Sequence, residues 1–582
     1  MLVVFGLAIF VILYNQIKMR SENRIIYDPI LFKFEKVDQK DFTGIKKPIQ
    51  DDLCHYPFGN FLTDYDRLLY IDCLTKTEKL NEIDAVSLNE ATLFYELNYG
   101  NPPRHFEKWY AFAIEKKCRI NRYDQLYEQL APFQNNKEDY EKILQDLKNL
   151  FNSTQLTKIE FKEGKLNIDV NNPRAKTYIA ILERMQQFMP DMKFVINTHA
   201  QPVIMGGDLH KGIKSKTNHN AGEIGTVQVR LFEKEDQLVS TSSVMSMDSL
   251  MEKTCIPDPY RESIKQGYGL FLSAPEEYQT FEKAPVLSWG SYPGCSMDIL
   301  IPSVFHYDYL KITEKPITYS KFSTKHNKLF FRGATSGSPF YENIGEFLPD
   351  HICVDACKPH QYQIINPVLL AKRVWLYGHR QRMVSSASFY PKMMDIQFVN
   401  GVEMHPDYIT EAFKNYFYKT RRIRFEKFFE NKFIMDVDGN GYSGRFLKLL
   451  QGNSLVFSAH YAKDWFSDIA IPFYHYIPVH MGYTNINYTV LPELYKTALR
   501  KNRVEKSKFQ FNKLDGEDDF NTPMGFNDMA PKLLYFQNNL EISEQIATRG
   551  QSFGKSRLRE DDMDCFLFRT FIELYEILQN KS

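Results

Sequence analysis

Residues 432–450 read KFIMDVDGNGYSGRFLKLL. An apolar run at Lys432–Val437 has the composition of a buried strand, and three glycines follow it, Gly439, Gly441 and Gly444. An apolar helix then opens near Arg445. Glycine tolerates positive φ and lets a ligand come close to the main chain. A helix start adds free N–H groups and the positive end of a dipole. With the fixed cation of Arg445 and the hydroxyl of Ser443, the segment reads as a strand–loop–helix cradle for a diphosphate. The rival is a calcium loop, because Asp436, Asp438, Asn440 and Gly441 copy the first half of an EF-hand. That loop ends on a bidentate Glu at its twelfth position and lies between two helices. Here the twelfth residue is Leu447 and the preceding element is a strand, so the calcium reading fails.

Working outward, other apolar runs share this character: Lys193–Thr198, Lys328–Arg332, Met394–Val399 and Ser454–Ser458. Helical patterns such as Tyr408–Tyr418 lie between them, which predicts α/β units on a mainly parallel sheet. FRGATSGS at 331–338 offers a second anion loop, with Arg332 and Gly333 at the end of a strand. Residues 139–151 carry apolar spacing for an amphipathic helix. Leu540–Arg549 reads as a helix ended by Gly550. Leu567, Phe568, Phe571, Leu574, Tyr575 and Leu578 form one apolar face, so the C-terminal tail is expected to dock on the body.

The chain has 582 residues, 72 basic and 72 acidic, and this balance argues against a nucleic-acid partner. Its 45 Phe and 35 Tyr argue against long disorder. Leu2–Tyr14 is an uncharged apolar run followed by Lys18, Arg20 and Arg24 without a small-residue cleavage site, which predicts an uncleaved signal anchor over 1–17. Eight cysteines and sequons at Asn152, Asn487 and Asn580 fit the oxidising secretory route. Cys353, Cys357 and His360 have metal-like spacing but lack a fourth ligand nearby, so a disulfide or buried thiols is the preferred reading and no metal is expected.

Several segments, in order, resemble glycosyltransferase family 90, the capsule-associated protein and protein O-glucosyltransferase family. They are PPRHFEKWYAFA (102–113), MPDMKFVIN (189–197), LSWGSYPGCSMDILIPS (287–303), KLFFRGATSG (328–337) and FIMDVDGNGYSGRFLKLLQGNSLVF (433–457). DWFSDIAIPFYHYIPV (464–479), IATRGQSF (546–553) and DDMDCFLFRTFIELY (561–575) complete the series. PPRHFEKWY looks like the fungal capsule-type, xylosyltransferase-like branch.

The resemblance implies an α/β GT-B fold, two Rossmann-like domains with a UDP-sugar between them, and inverting transfer without a catalytic metal. The expected plan is an anchor at 1–17, a stem and N-terminal extension at 18–150, an acceptor domain at 151–325 and a nucleotide-sugar domain at 326–545. A helical tail at 546–582 docks on the body. The resemblance places Arg332, Gly333, Ser443 and Arg445 at the UDP diphosphate and Gly452, Asn453 and Ser454 beside the nucleotide. His475 and Tyr476 lie in its HYIPV signature, where they line the cleft or form a packed turn. The expected activity moves xylose or glucose from a UDP donor to a glycan, glycolipid or glycoprotein hydroxyl in the Golgi or endoplasmic reticulum lumen. The glucosyltransferase branch carries its general base, an Asp, where this sequence has Ala200. His199 and Asp298 are the substitutes, and Asp298 is preferred because a carboxylate is ionised at neutral pH. The other reading is a non-catalytic sugar-nucleotide or glycan-binding relative.

Overall fold

The computed structural model describes residues 53–78, 87–119, 123–133, 156–168, 173–200, 202, 285–292, 296–311, 320–337, 378–399, 419–420, 423–482, 487–504 and 525–579. The expected anchor, the 139–151 helix, the Tyr408–Tyr418 helix and the Cys353–His360 cluster lie outside them.

The chain carries two sheets. The first has the order β2-β1-β3-β4-β5, built from Leu156–Lys162 (β1), Lys165–Ile168 (β2), Met192–Asn197 (β3), Val286–Ser288 (β4) and Ile299–Leu300 (β5). It is mixed: β1 is antiparallel to both β2 and β3, and β3–β4–β5 are parallel.

The second sheet is six-stranded and parallel throughout. Its strands are His326–Gly333 (β6), Met394–Val399 (β7), Lys419–Thr420 (β8), Asn431–Val437 (β9), Leu455–Ala459 (β10) and Ile477–Pro478 (β11). In space they run β11-β10-β9-β6-β7-β8. The chain starts in the middle at β6, moves out through β7 to β8, returns to β9 on the other side of β6 and moves out again. This is the doubly wound order of Rossmann-type sheets, with its switch point between β6 and β9. All seven residues of β9 are buried, as expected for a strand covered on both faces. The five apolar runs singled out in the sequence correspond to β3, β6, β7, β9 and β10.

Part of the segment expected to be a stem forms a helical layer on the body. Leu88–Tyr99, Phe106–Glu115 and Asp124–Leu130 pack against the C-terminal helix Glu560–Gln579. The Trp109 indole donates to the carbonyl of Cys565, and the Tyr95 hydroxyl donates to Glu573. A disulfide joins Cys118 to Cys565, and a second joins Cys54 to Cys73. The C-terminal helix places Phe571 against Phe194 of β3 and Phe568 against Phe112.

Gly550 does not end its helix, which runs from Leu540 to Arg557. A Cβ at Gly550 would lie 2.5 Å from the carbonyl oxygen of His475, and one at Gly554 would lie 2.8 Å from the amide of Gln451. Both glycines let this helix lie directly on the main chain of the segments that lead into β10 and β11. Gly550→Ala is therefore expected to destabilise the fold by about 1–3 kcal/mol, the usual cost of overpacking, despite alanine's better helix propensity. Urea denaturation checks it, and a neutral or stabilising result would mean the contact gives way.

Candidate functional site

In open α/β sheets, ligands bind outside the carboxyl ends of the strands at the switch point. Here that point is bounded by the ends of β6 and β9, each followed by a glycine-containing turn. The Gly337 amide donates to the Asn440 side chain at 2.6 Å, tying the two turns together. Gly337 has φ +87°, and a Cβ there would meet the His379 ring at 2.4 Å and the Gly439 carbonyl at 2.5 Å, so glycine is required.

A charged cluster occupies the crevice. Asp436, fully buried on β9, accepts from Arg445 Nε at 2.6 Å through one carboxylate oxygen. Its other oxygen contacts His460 Nε2 at 2.9 Å, and His460 Nδ1 lies 3.0 Å from the Ser458 hydroxyl. Burial alone would raise the Asp436 pKa, but the Arg445 charge and the hydrogen bond from His460, helped by Ser443, hold it down at about 2. Burial works against a charged His460 as well, yet its bond to Asp436 and the nearby carboxylates raise its pKa. Arg445 and His460 thus share one carboxylate.

Arg445 Nη1 donates to the Arg332 carbonyl at 2.9 Å. Its remaining terminal nitrogen, Nη2, is buried and finds no hydrogen-bond partner among the described residues. A buried guanidinium donor without a partner costs free energy unless a ligand meets it. Asp438, two residues further along, accepts from the amides of Tyr461 and Ala462, and burial pushes its pKa up to about 6.

Of the residues expected at the diphosphate, Gly333, Ser443 and Arg445 come together here. A Cβ on Gly333 would stand 3.4 Å from Arg445 Nη1. Arg332 contributes its carbonyl, but its side chain is engaged elsewhere. Nη2 makes a two-pronged ion pair with Asp395 of β7 at 2.8 and 2.9 Å, and Nη1 donates to two carbonyls. Both Nη atoms of Arg332 are thus committed to Asp395 and to carbonyls, and only its buried Nε lacks a hydrogen-bond partner among the described residues, so its fork is not turned toward a diphosphate shared with Arg445.

Gly452, Asn453 and Ser454 fall at the other edge of the sheet. The short helix Phe446–Leu450 carries the chain back to the amino end of β10, and the seven residues of β9 span roughly 20 Å. There Lys325 donates to the Asn453 carbonyl and the Ser454 hydroxyl, which itself donates to the Asn431 carbonyl. A Cβ on Gly452 would penetrate the Phe429 ring, 1.9 Å from its nearest carbon, so this glycine serves packing. These three residues do not sit beside the crevice. His475 also serves packing. Its ring stacks on Phe553 with centroids 4.4 Å apart, its Nδ1 accepts from the Ile471 amide, and burial lowers its pKa to about 3. Tyr476 packs edge-on against Phe446.

The two candidate bases have different surroundings. Asp298 is fully buried in the first sheet, where its carboxylate accepts from the Ser288 hydroxyl at 2.5 Å, and Ser288 in turn accepts from Asn197. This interior position, bonded to its own sheet, adds no support to the preference for Asp298. His199 is half-buried, and its amide donates to the Asn197 side chain. Strand β3 ends at Asn197, so strand alternation does not dictate where the His199 side chain points.

The neighbouring Ala200 lies where the two sheets meet. A Cβ on Gly290 would stand 3.4 Å from the Ala200 carbonyl and 3.1 Å from the ring of Tyr442 in the glycine loop. Ser291 and Lys463 exchange backbone hydrogen bonds across the same junction, and Tyr292 stacks on Tyr461.

Sequence reasoning passed over two groups. His460 stands alone in the sequence and acquires its partner from β9. His379 and Arg380 open the helix His379–Ser388. His379 donates from Nε2 to the Asp438 carbonyl at 2.8 Å, and burial keeps the ring neutral with a pKa of about 3. No glycine-rich signature marks that helix; a basic pair after a run such as VWLYG is the one available cue.

Among the described residues no group of three His, Cys, Asp or Glu is placed to hold a metal, and no helix is long and apolar enough to cross a membrane. No family model matches the chain.

Proposed function

We propose that this chain is an inverting glycosyltransferase that moves xylose or glucose from a UDP-sugar to a hydroxyl of a glycan, glycolipid or glycoprotein. The observation that carries the reading is the buried Nη2 of Arg445, without a hydrogen-bond partner among the described residues, beside His460 at the switch point of a doubly wound sheet. Resemblance to glycosyltransferase family 90 supplies the donor class. On this reading the two sheets are the Rossmann-like domains of a GT-B enzyme, with residues 151–325 on the acceptor side and 326–545 holding the nucleotide.

The chemistry then divides between the two sides. The acceptor oxygen attacks the anomeric carbon from the face opposite the phosphate, and the C–O bond to UDP breaks with its electron pair leaving on the diphosphate. Arg445 and His460 offset that charge in a water-poor crevice, where fixed donors act most strongly. His199, an imidazole next to the junction, takes the acceptor proton. The two disulfides fit a lumenal, oxidising compartment, with the N-terminal run as the membrane tether.

The test is UDP release from a panel of UDP-sugars, with and without glycan acceptors. Acceptor-dependent release from UDP-xylose or UDP-glucose is the expected result, and it should persist in the presence of EDTA. Loss of turnover on chelation and its return with Mn²⁺ would overturn the two-cation account. The second reading, a non-catalytic sugar-nucleotide or glycan-binding relative, is favoured by Ala200, and UDP binding without release from any donor would establish it.

A further inference from the structure

We propose that Arg380 is the positioning residue of the phosphate crevice, a single buried guanidinium that fixes the spacing of its two walls. This rests on the UDP-binding reading of the crevice and adds to it a residue that works through the main chain. Arg380 is the second residue of its helix and is 8% exposed. Nη1 donates to the Ala334 carbonyl at 3.0 Å and to the Ser336 hydroxyl at 2.6 Å, both on the turn after β6. Nε donates to the Asp438 carbonyl at 2.8 Å and Nη2 to the Val437 carbonyl at 3.3 Å, both at the end of β9.

Four of the five N–H groups of one planar cation therefore bridge two segments about a hundred residues apart in sequence. These segments are the two sides of the switch point. The strands do not link them there: pairing between β6 and β9 ends at Phe330–Ile434, before either turn begins. Two consequences follow for an anionic ligand. Three carbonyl oxygens at the lip of the crevice are turned onto a cation and withdrawn from a phosphate that they would repel. The Ala334–Gly337 and Val437–Asn440 turns also keep one relative position, the one in which Gly337 reaches Asn440.

Lysine cannot reproduce this bridge, because its three donors radiate from one point and do not form a planar fork. The experiment is UDP affinity by calorimetry for wild type, Arg380→Ala and Arg380→Lys, each checked for an intact fold by circular dichroism. The expected result is a roughly ten-fold or greater weakening in Arg380→Ala and a smaller loss in Arg380→Lys. Millimolar methylguanidinium should restore UDP affinity in Arg380→Ala and leave wild type unchanged, a response that general loss of stability would not give.

Arg380→Ala that is folded and binds UDP within two-fold of wild type would overturn the proposal. Where Arg380→Ala does not fold, Arg380→Lys decides: unchanged affinity overturns the proposal, and weaker affinity supports it. Wild type that binds no UDP removes the nucleotide reading itself, an outcome distinct from equal binding by wild type and variant.

Discussion

Replacing Arg445 with alanine is expected to weaken UDP binding by roughly ten- to a hundred-fold, the equivalent of about 1.5–3 kcal/mol for one charge-assisted hydrogen-bond partner. The expectation follows from the Nη2 donor, which has no hydrogen-bond partner among the described residues, and from the place of Arg445 at the switch point. The substitution also takes one cation from Asp436, leaving the carboxylate to His460. Two effects must therefore be separated. If the lost affinity came from a disturbed Asp436, Arg445→Lys, which keeps the charge, would bind nearly as well as wild type. If it comes from the missing donor, Arg445→Lys should remain clearly weaker. Titration calorimetry on the three proteins distinguishes the cases. Unchanged affinity in a folded Arg445→Ala would sink the assignment of this crevice to a diphosphate.

The largest stability loss is expected at Arg569, far from that crevice. Its guanidinium carbon lies 4.3 Å from the ring centroid of Trp109, 4.7 Å from Tyr95 and 4.8 Å from Phe106. Nε pairs with Glu573 at 2.7 Å, and Nη2 donates to the Tyr127 hydroxyl at 2.5 Å. Arg569→Ala would leave Glu573 buried without its cation and empty the centre of an aromatic cage. Breaking one side of a buried pair typically costs about 3–5 kcal/mol. Urea unfolding should show a loss of this size, and limited proteolysis should cut first in the helical layer between residues 87 and 133. Arg569→Ala combined with Glu573→Ala should cost clearly less than the sum of the two single changes, because the stranded charge is gone. A loss below about 1 kcal/mol for Arg569→Ala would mean that the cage does not hold the layer.

The second sheet was legible because a parallel strand covered on both faces must be apolar along its length, and NKFIMDV, KLFFR and SLVFS announce that directly. The same logic did not reach the helical layer. Trp109 and Tyr95 have their partners, Cys565 and Glu573, more than four hundred residues away, and local periodicity carries no trace of that distance. At the site, Arg445 was found because strand, glycine and cation follow one another along the chain. Gly452, Asn453 and Ser454 were misplaced for the same reason: nearness in sequence conceals the reversal through Phe446–Leu450. An aspartate bonded to its own sheet, as Asp298 is, and one facing a substrate look alike as letters.

The tail that closes the first sheet also sets a schedule for biosynthesis. Phe194 of β3 and Phe112 of the helical layer find their ring partners in Phe571 and Phe568, and Cys118 finds its partner in Cys565. The first half of the chain thus leaves the ribosome with Phe112 and Phe194 uncovered and the Cys118 thiol unpaired. It stays that way until residues 565–571 emerge. Vectorial, N-terminus-first folding is unavailable to such a half. Pairing of Cys118 therefore waits for Cys565, and a chain cut short before that residue would lack the disulfide and both ring contacts.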